Sequence, residues 1–356
     1  MNDELEKLIQ KGVDENKVIA LWRNPGGSVQ GIAANSYYTF ASQETPQKRG
    51  FIIAPFLENQ NNPHTFIPAE IYLPEQNNLL KQIHSHPYEK ATAPASTSKN
   101  DYETSFHTLK QAITKNIAEK AVLSRTLFSD AVTRSKASAY FFALEKAYPH
   151  AMVYLVNLPG KGCWAGATPE ILLTEKADGY ETVALAGTKP AQSDLKWREK
   201  EVHEQALVSE FIQNTLQEMN IHHYQQEGPE EIKAGNVMHL KTSFFIPKEN
   251  INGRAMELAE KLHPTPAVCG LPRQESLKLI SETERHDRAY YTGFLGEFAF
   301  KESGLNFFVN LRCMQIFEEG ALLYVGGGIT ADSDLEEEWQ ETEEKSRTLL
   351  NIAKKL

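Results

Sequence analysis

The chain has 356 residues, of which 41% are hydrophobic and 24% are charged. This length and composition are typical of a soluble globular protein with a substantial core, built as one large or two ordinary domains. Lys and Arg number 37 against 47 Asp and Glu, so the formal net charge is −10. The acidic balance argues against a nucleic-acid or anionic-membrane surface, because both need basic residues.

The cysteines and the N-terminus indicate the compartment. Three cysteines without a CxxC pair suggest neither a disulfide framework nor a cysteine-rich zinc site. The first residues, MNDELEKLIQ, are acidic and lack the apolar stretch of a secretory signal. No run approaches the roughly 18 apolar residues of a membrane helix. We therefore expect a cytoplasmic protein without a membrane, nucleic-acid or obligate protein partner.

The predicted elements change in character near residue 100. Before it, short apolar runs at 17–22 and 51–56 predict strands separated by Asn- and Gln-rich connectors. Residues 87–100 collect Pro, Ser, Thr and Ala without periodicity and predict a linker or a mobile loop. We therefore divide the chain into an N-terminal α+β subdomain, 1–100, that packs on a larger domain, 101–356.

After residue 100 the pattern is regular. Asp101 is the predicted cap of a helix, and an apolar strand follows at 121–123. Further helices are predicted at 130–147, 193–218, 253–262, 273–285 and 334–355. Further strands are predicted at 151–158, 237–247, 291–300, 306–317 and 321–326, with a hairpin at about 163–186. Hairpins and meanders dominate, which predicts an α+β fold of layered, largely antiparallel sheets flanked by helices.

Glutamates on two predicted helices could together hold a hard cation. Glu338, Glu341 and Lys345 lie three and four residues apart, beside the apolar stripe of the C-terminal helix. Glu201 and Glu204 share one face of the helix at 193–218. If the two faces oppose each other, their oxygens would suit Mg²⁺. Each helix taken alone is better explained by a solvated charged face.

Three glycines and one arginine lie near the end of the chain. Gly326, Gly327 and Gly328 end a predicted strand, and without Cβ atoms their N–H groups can turn toward an anion. A tight bend explains them equally well. No GxGxxG or GK[ST] motif occurs, so neither a dinucleotide fold nor a P-loop is supported. Arg312 interrupts an apolar strand, where it is either paired in the core or projects into a site, and its planar donors favour the site when an anion is present.

Two charged residues and one histidine lie at the ends of, or within, apolar runs. Lys120 precedes residues 121–123, where desolvation would let it lose its proton and act as a general base. Glu170 precedes another apolar run, where burial would raise its pKa and suit a general acid. For either residue alone, an ordinary strand-end charge is the preferred explanation. His239 alternates with apolar neighbours and is by default a core histidine.

Ten segments, in order along residues 119–350, resemble the chorismate-utilising enzymes. They are EKAVLSRT (119–126), CWAGATPEILL (163–173), ALAGTKP (184–190), HEQALV (203–208), HLKTSF (239–244), LHPTPAVCG (262–270), RAYYTGFLGE (288–297), NLRC (310–313), VGGGIT (325–330) and EWQETEEKSRTLL (338–350). The first hundred residues contain no such segment. The resemblance implies the layered α+β fold of that family and a small-molecule substrate, chorismate.

The resemblance also implies roles for single residues. Lys120 matches the base that activates water in the members that make isochorismate, and Glu170 matches the general acid of the A[ST]PE motif. The implied cofactor is Mg²⁺, with Glu204 and Glu341 as ligands and Glu338 and Glu201 close by. The positions implied in substrate binding are Thr188, His239, Tyr291, Arg312, Gly326, Gly327, Gly328 and Lys345.

The implied reaction is a Mg²⁺-dependent isomerisation of chorismate to isochorismate, for menaquinone or catechol siderophore synthesis. Members that aminate chorismate carry Gln in place of Lys120, or Lys where Ala186 stands here, so amination is disfavoured. Members that go on to eliminate pyruvate and give salicylate share the same catalytic positions, so that alternative stays open. A non-catalytic member of the fold also stays open. Lys189 departs from the family, which often has Arg after this segment.

Overall fold

The strands of the protein form two antiparallel sheets of nine strands each. The computed structural model describes residues 2–42, 44–190, 196–234, 237–300 and 304–356. The strands are β1 (Val18–Arg23), β2 (Gln30–Ala34), β3 (Tyr38–Phe40), β4 (Gly50–Ala54), β5 (His64–Pro68), β6 (Ile71–Leu73), β7 (Lys120–Ser129), β8 (Met152–Leu158), β9 (Gly162–Thr168), β10 (Ile171–Glu175), β11 (Gly179–Pro190), β12 (Gln225–Ala234), β13 (Val237–Pro247), β14 (Gly270–Leu271), β15 (Phe294–Phe300), β16 (Gly304–Val309), β17 (Cys313–Ile316) and β18 (Ala321–Ile329). The first sheet has the order β14-β7-β18-β17-β9-β8-β1-β2-β6, and the second has the order β12-β13-β11-β10-β16-β15-β4-β5-β3.

Helices cover the outer faces of these sheets. They are α1 (Asn2–Asp14), α2 (Lys99–Thr114), α3 (Ala137–Ala147), α4 (Glu199–Glu218), α5 (Lys248–Ile251), α6 (Ala255–Leu262), α7 (Arg273–Thr283) and α8 (Leu335–Ala353). Buried residues of α1, α3 and α8 pack on the first sheet, whereas those of α4 and α6 pack on the second. The predicted α+β class with layered antiparallel sheets is confirmed.

The core between the sheets explains why the early strands are apolar throughout. In β1, Val18, Ala20 and Trp22 face the second sheet, and the Trp22 ring lies 5.1 Å from that of Phe51. The alternate residues Ile19 and Leu21 belong to the cluster under α1 and α3. Both faces of the strand are therefore buried, which removes the polar alternation of a half-exposed strand. Strands from the first hundred residues continue both sheets, and the domain boundary at residue 100 stays a prediction.

The largest departure from the predicted elements is at residues 306–317. One strand was expected, but the chain forms β16 in the second sheet and β17 in the first. Arg312 has a φ of 48° at this crossing. A non-glycine residue in the left-handed region ends a strand, so the chain can turn from one sheet to the other. The predicted strand interior is therefore a connection between the sheets.

Other boundaries shift by a few residues. Ser98, rather than Asp101, caps α2, because the Ser98 side chain accepts a hydrogen bond from the Asp101 main-chain N–H at 3.1 Å. The strand predicted at 121–123 extends to Ser129, and the helix predicted from 130 begins at Ala137. Residues 193–195 of another predicted helix lie outside the described residues.

The segment predicted as a linker or mobile loop has no helix or strand between residues 87 and 98. Hydrogen bonds attach it at both ends: Asn16 Nδ2 donates to Pro87 O at 2.8 Å, and Thr97 N donates to Thr126 O at 3.0 Å. Residues 99 and 100 belong to α2. Within the described ranges, no helix is long and apolar enough to cross a membrane.

Candidate active site

The candidate site lies along one edge of β18, where the neighbouring strand stops. β17 pairs with β18 only as far as Cys313 opposite Tyr324, whereas β7 continues along the other edge to Ala121 opposite Ile329. No strand among the described ranges pairs with the first edge beyond Tyr324. Side chains from β7, α4, α8 and the connections of the second sheet can therefore meet there.

Gly326, Gly327 and Gly328 lie inside β18, which continues to Ile329, beyond the strand end predicted at residue 326. A Cβ on Gly328 would lie 2.5 Å from Lys120 Cε, and one on Gly326 would lie 3.0 Å from Tyr291 Oη. A Cβ on Gly327 would lie 2.9 Å from Glu338 Oε2. The missing Cβ atoms therefore leave room for three of the predicted site side chains.

The strand pairing decides which glycine N–H groups are available to an anion. Val122 N donates to Cys269 O at 2.8 Å, away from β18, and N–H directions alternate along a strand. Leu123, opposite Gly327, therefore bonds to β18, whereas Gly326 and Gly328 direct their main-chain groups toward the open edge. The predicted anion contacts are accordingly available at two of the three glycines.

Lys120 contacts one of the predicted metal ligands. Its Nζ donates to Glu204 Oε1 at 2.5 Å, and only 14% of its side chain is exposed. Lys120 begins β7 at the rim of the first sheet, and Glu204 lies in the second turn of α4, on the second sheet. The pair therefore joins the two layers. Sequence spacing could not predict this contact, because 84 positions separate the two residues.

Glu170 lies in the turn between β9 and β10, beside a cavity of about 10 Å³, room for roughly one water molecule. Burial raises its pKa to about 7, although the positive charges of Lys120, Arg312 and Lys345 act in the opposite direction. A carboxyl group with such a pKa can hold a proton near neutral pH and donate it.

Arg312 and Lys345 provide positive charge beside Glu170. Burial lowers the pKa of Arg312, whereas Tyr291, Glu341 and Glu170 raise it. Lys345 Nζ donates to Gly326 O at 2.7 Å and to Glu341 Oε1 at 2.5 Å. Its pKa is lowered by burial, against the opposing effect of Glu341. Two half-buried cations beside one carboxylic acid form a site suited to an anionic ligand.

The structure brings most of the predicted site residues together. The contacts and charge interactions given above link Lys120, Glu170, Glu204, Tyr291, Arg312, Gly326, Gly327, Gly328, Glu338, Glu341 and Lys345. Their roles in catalysis and binding stay predictions.

The remaining three predicted residues form a second group where β11 meets α4. Glu201 accepts from Arg198 N at 3.0 Å and pairs with the Arg198 guanidinium in a capping box, and the hydrogen bond from that side chain lowers the Glu201 pKa. His239 Nδ1 hydrogen-bonds with Gly187 O at 3.0 Å. The side chain of Thr188 lies outside the described residues. Glu201 therefore has a structural explanation as the residue that closes the start of α4.

The predicted Mg²⁺ site is compatible with the donors present. Glu338 Oε2 and Glu341 Oε1 lie 2.9 and 3.9 Å from the point where a Cβ on Gly327 would be, so glycine there leaves a space lined by carboxylates. Carboxylate oxygens are the ligands that Mg²⁺ prefers. However, among the described residues no three His, Cys, Asp or Glu side chains form a ready metal cluster. Glu204 and Glu341 are instead paired with lysines, and Mg²⁺ binding stays a prediction.

Sequence reasoning missed a buried ion pair behind the site. Arg288 Nε and Nη2 donate to Glu284 at 2.7 and 2.6 Å, and Nη2 also donates to Val122 O at 2.8 Å. Glu284 Oε1 accepts from Ser124 N at 2.6 Å. The pair fixes β7 against the turn that carries Tyr291. The i,i+4 spacing of Glu284 and Arg288 was the available signal.

Comparisons with known proteins agree with this fold. The family model described as chorismate binding enzyme matches residues 39–354. The chain therefore belongs to the chorismate binding enzyme family.

Several curated relatives are named as isochorismate synthases. The chain is 31% identical to isochorismate synthase EntC of Escherichia coli (strain K12) over 244 residues, which are 66% of this chain and 62% of EntC. It is 27% identical to the vibriobactin-specific isochorismate synthase of Vibrio cholerae over 314 residues, which are 85% of this chain and 78% of that protein. The match thus spans less than two thirds of EntC.

A solved structure has the same fold. MenF, the menaquinone-specific isochorismate synthase from Escherichia coli, superposes with a TM-score of 0.75 at 22% identity, covering 97% of this chain and 91% of that one. At this identity the likeness shows the fold alone. The predicted membership in the chorismate-utilising family is confirmed.

Proposed function

We propose that this protein is an isomerase that converts chorismate to isochorismate. The observation that carries the proposal is the pairing of a basic and an acidic group at one site: Lys120 at the start of β7, and Glu170 with a pKa raised to about 7. The relatives named as isochorismate synthases support the same reaction. In it, water adds at C2 of the ring while the C4 hydroxyl group leaves.

Lys120 is the proposed base. Its amine would take a proton from the water that attacks C2. In the structure Nζ is paired with Glu204 at 2.5 Å, so this role requires the ion pair to open and the ammonium group to lose its proton. The short contact also holds Nζ in the place that Gly328 leaves vacant. Glu204 therefore both positions the base and restrains it until substrate enters.

Glu170 is the proposed acid. Its carboxyl group would donate a proton to the departing C4 hydroxyl group. Desolvation keeps this group protonated in a substantial fraction of molecules near pH 7, despite three cations close by. Because the net change is an isomerisation, the proton that Lys120 gains and the proton that Glu170 gives are returned through solvent before the next turnover.

The two carboxylates of chorismate need separate anchors. Tyr291 is buried and Arg312 is half-buried at the site, and the N–H groups of Gly326 and Gly328 face the open edge. These groups suit the enolpyruvyl carboxylate. Fixed donors in a desolvated site orient the ring without reorganisation during the reaction. Lys345 adds a further positive charge beside them.

Mg²⁺ is the proposed cofactor. Glu204, Glu338 and Glu341 would hold it, on α4 and on α8, and the ion would neutralise the ring carboxylate of the substrate. The contacts of Glu204 and Glu341 with lysines hold both carboxylates close to the site.

The proposal is tested by incubating the protein with chorismate and Mg²⁺ and separating the products by chromatography. Isochorismate without pyruvate is the expected result. Salicylate with equimolar pyruvate would show that elimination follows isomerisation, and recovery of unchanged chorismate would contradict the proposal. Relatives of both the siderophore and the menaquinone type match the chain, so its gene neighbours are the observation that distinguishes the two pathways.

A further inference from the structure

A serine and a histidine outside the predicted set form a buried contact next to Tyr291. Ser124 Oγ lies 2.9 Å from His286 Nε2. Ser124 is 2% exposed, and the side chain of His286 is 13% exposed. Ser124 is on β7, the strand that Lys120 begins, and His286 lies five positions before Tyr291.

Ser124 is on the face of the sheet that carries Lys120. Side chains alternate along a strand, so residues 120, 122 and 124 point the same way. Ser124 is directly opposite Gly326, and a Cβ on that glycine would be 3.1 Å from Ser124 Cβ and 3.0 Å from Tyr291 Oη. Ser124 and Tyr291 therefore border the same space beside the open edge of β18.

The surroundings of His286 determine which partner donates. Its Nε2 lies 3.8 Å from Glu284 Oε2, and the negative charge of this carboxylate favours the tautomer that carries the hydrogen on Nε2. The other charged groups acting on the ring are Arg288 and Asp287, and the Tyr324 ring lies 6.4 Å away. Burial lowers the pKa of His286, which keeps the imidazole neutral near pH 7.

This arrangement leaves the serine hydroxyl hydrogen available. In that tautomer His286 Nε2 donates a hydrogen bond to Ser124 Oγ, while the Ser124 main-chain N–H donates to Glu284 Oε1 at 2.6 Å. A hydroxyl group that accepts from one side donates best toward the other, where Tyr291 and Gly326 lie.

We propose that Ser124 donates a hydrogen bond to the carboxylate that Tyr291 and Arg312 bind, and that His286 is the positioning residue that directs the Ser124 hydroxyl group. This inference rests on the proposed function, because the ligand is the enolpyruvyl carboxylate of chorismate. The two residues would act on binding rather than on proton transfer. An interaction that stabilises the bound substrate and the transition state equally changes KM and leaves kcat nearly unchanged.

The test measures the dissociation constant of chorismate by calorimetry, together with kcat and KM, in the intact protein with Mg²⁺. Ser124→Ala should weaken binding about 10-fold, the usual effect of losing a hydrogen bond to a charged group. His286→Leu should weaken it in the same direction, and the double variant should be no weaker than Ser124→Ala alone. His286→Gln, which retains an N–H donor, and Ser124→Thr, which retains the hydroxyl group, should restore binding. His107→Leu, at an exposed position of α2, is the matched control.

An analogue with the enolpyruvyl carboxylate esterified separates a binding role from a structural one. Wild type and Ser124→Ala should bind this ester equally, because the charged acceptor is gone. Three results would each overturn the inference while wild-type turnover stands. Ser124→Ala could lose equal affinity for chorismate and for the ester, or it could bind chorismate as wild type does. The third result is that the losses of affinity in the double variant are additive. Wild-type protein that neither binds nor converts chorismate would instead overturn the proposed function, and this inference with it.

Discussion

The side chain of Lys120 occupies the space that a Cβ atom on Gly328 would need, with Cε only 2.5 Å from that point. Lys120 begins β7, and Gly328 is near the end of β18 on the neighbouring strand. The glycine therefore sets the position of the proposed base, rather than only a bend in the chain.

Replacing this glycine should displace the base without removing it. We expect Gly328→Ala to lower kcat by about 10²-fold, the usual cost of moving a catalytic group by about 1 Å. Steady-state kinetics would measure the effect. Gly27→Ala, at an exposed position where the nearest atom would be Asn24 O at 3.3 Å, is the control and should leave kcat unchanged. Wild-type turnover by Gly328→Ala would show that this glycine does not determine the position of Lys120.

Removing the base or the acid should abolish turnover and spare binding. Lys120→Ala and Glu170→Gln are each expected to lower kcat roughly 10²- to 10⁴-fold, because proton transfer contributes mainly in the transition state. Lys278→Ala, on the exposed face of α7, provides the control. Calorimetry should find chorismate affinity within a few-fold of wild type. Loss of binding in step with loss of kcat would reassign the residue to substrate binding.

The pH dependence of stability should report the burial of Glu170. Its pKa rises from 4.5 in the unfolded chain to about 7 in the folded protein, so its favourable contribution is complete below 4.5 and is lost as pH rises toward 7. Glu170→Gln cannot ionise. Thermal unfolding should therefore find this variant increasingly stable relative to wild type between pH 4.5 and pH 8. A difference that does not change with pH would contradict the raised pKa.

Metal dependence is expected to follow the carboxylates of α4 and α8. Chelation should remove activity and Mg²⁺ should restore it, and Glu204→Gln and Glu341→Gln should each weaken Mg²⁺ and chorismate binding together. Glu344→Gln, at an exposed position of the same helix as Glu341, is the matched control. Isothermal titration with Mg²⁺ would provide a readout besides turnover. Full activity in the presence of EDTA would exclude the metal from the mechanism.

The ion pair behind the site should dominate the stability of this region. Arg288→Met leaves Glu284 buried without its main partner and should lower the free energy of unfolding by about 3–5 kcal/mol. Adding Glu284→Gln should recover part of that loss, because the uncompensated charge is then absent. Denaturant unfolding of both variants provides the comparison. Equal stability of the single and double variants would show that the charge is not the cause.

The sequence was most informative where periodicity alone determines a structure. The helix predicted at 334–355 forms from Leu335 to Ala353, and the strand predicted at 237–247 has those bounds. Both depend on local pattern and capping. The stripe with Thr342 and Ser346 is buried against the protein, which leaves Glu341 and Lys345 at the border where they were expected.

Prediction failed where the structure depends on distant contacts. Nothing local indicates that residues 306–317 divide between two sheets, since the apolar residues on both sides of Arg312 suit one strand. The contact between Lys120 and Glu204 likewise arises only when the two sheets pack. His286 was missed because its role depends on Ser124, which is 162 positions away.

The central claim is that water, activated by Lys120, is the nucleophile. The most direct test runs the reaction in H₂¹⁸O with Mg²⁺, chorismate and a high concentration of ammonium, and locates the label in the product by mass spectrometry. If Lys120 activates water, the product is isochorismate with one solvent oxygen at C2, no aminated product forms, and Lys120→Ala incorporates no label. A product without label at C2, or an aminated compound as the main species, would contradict both the role of Lys120 and the reaction class.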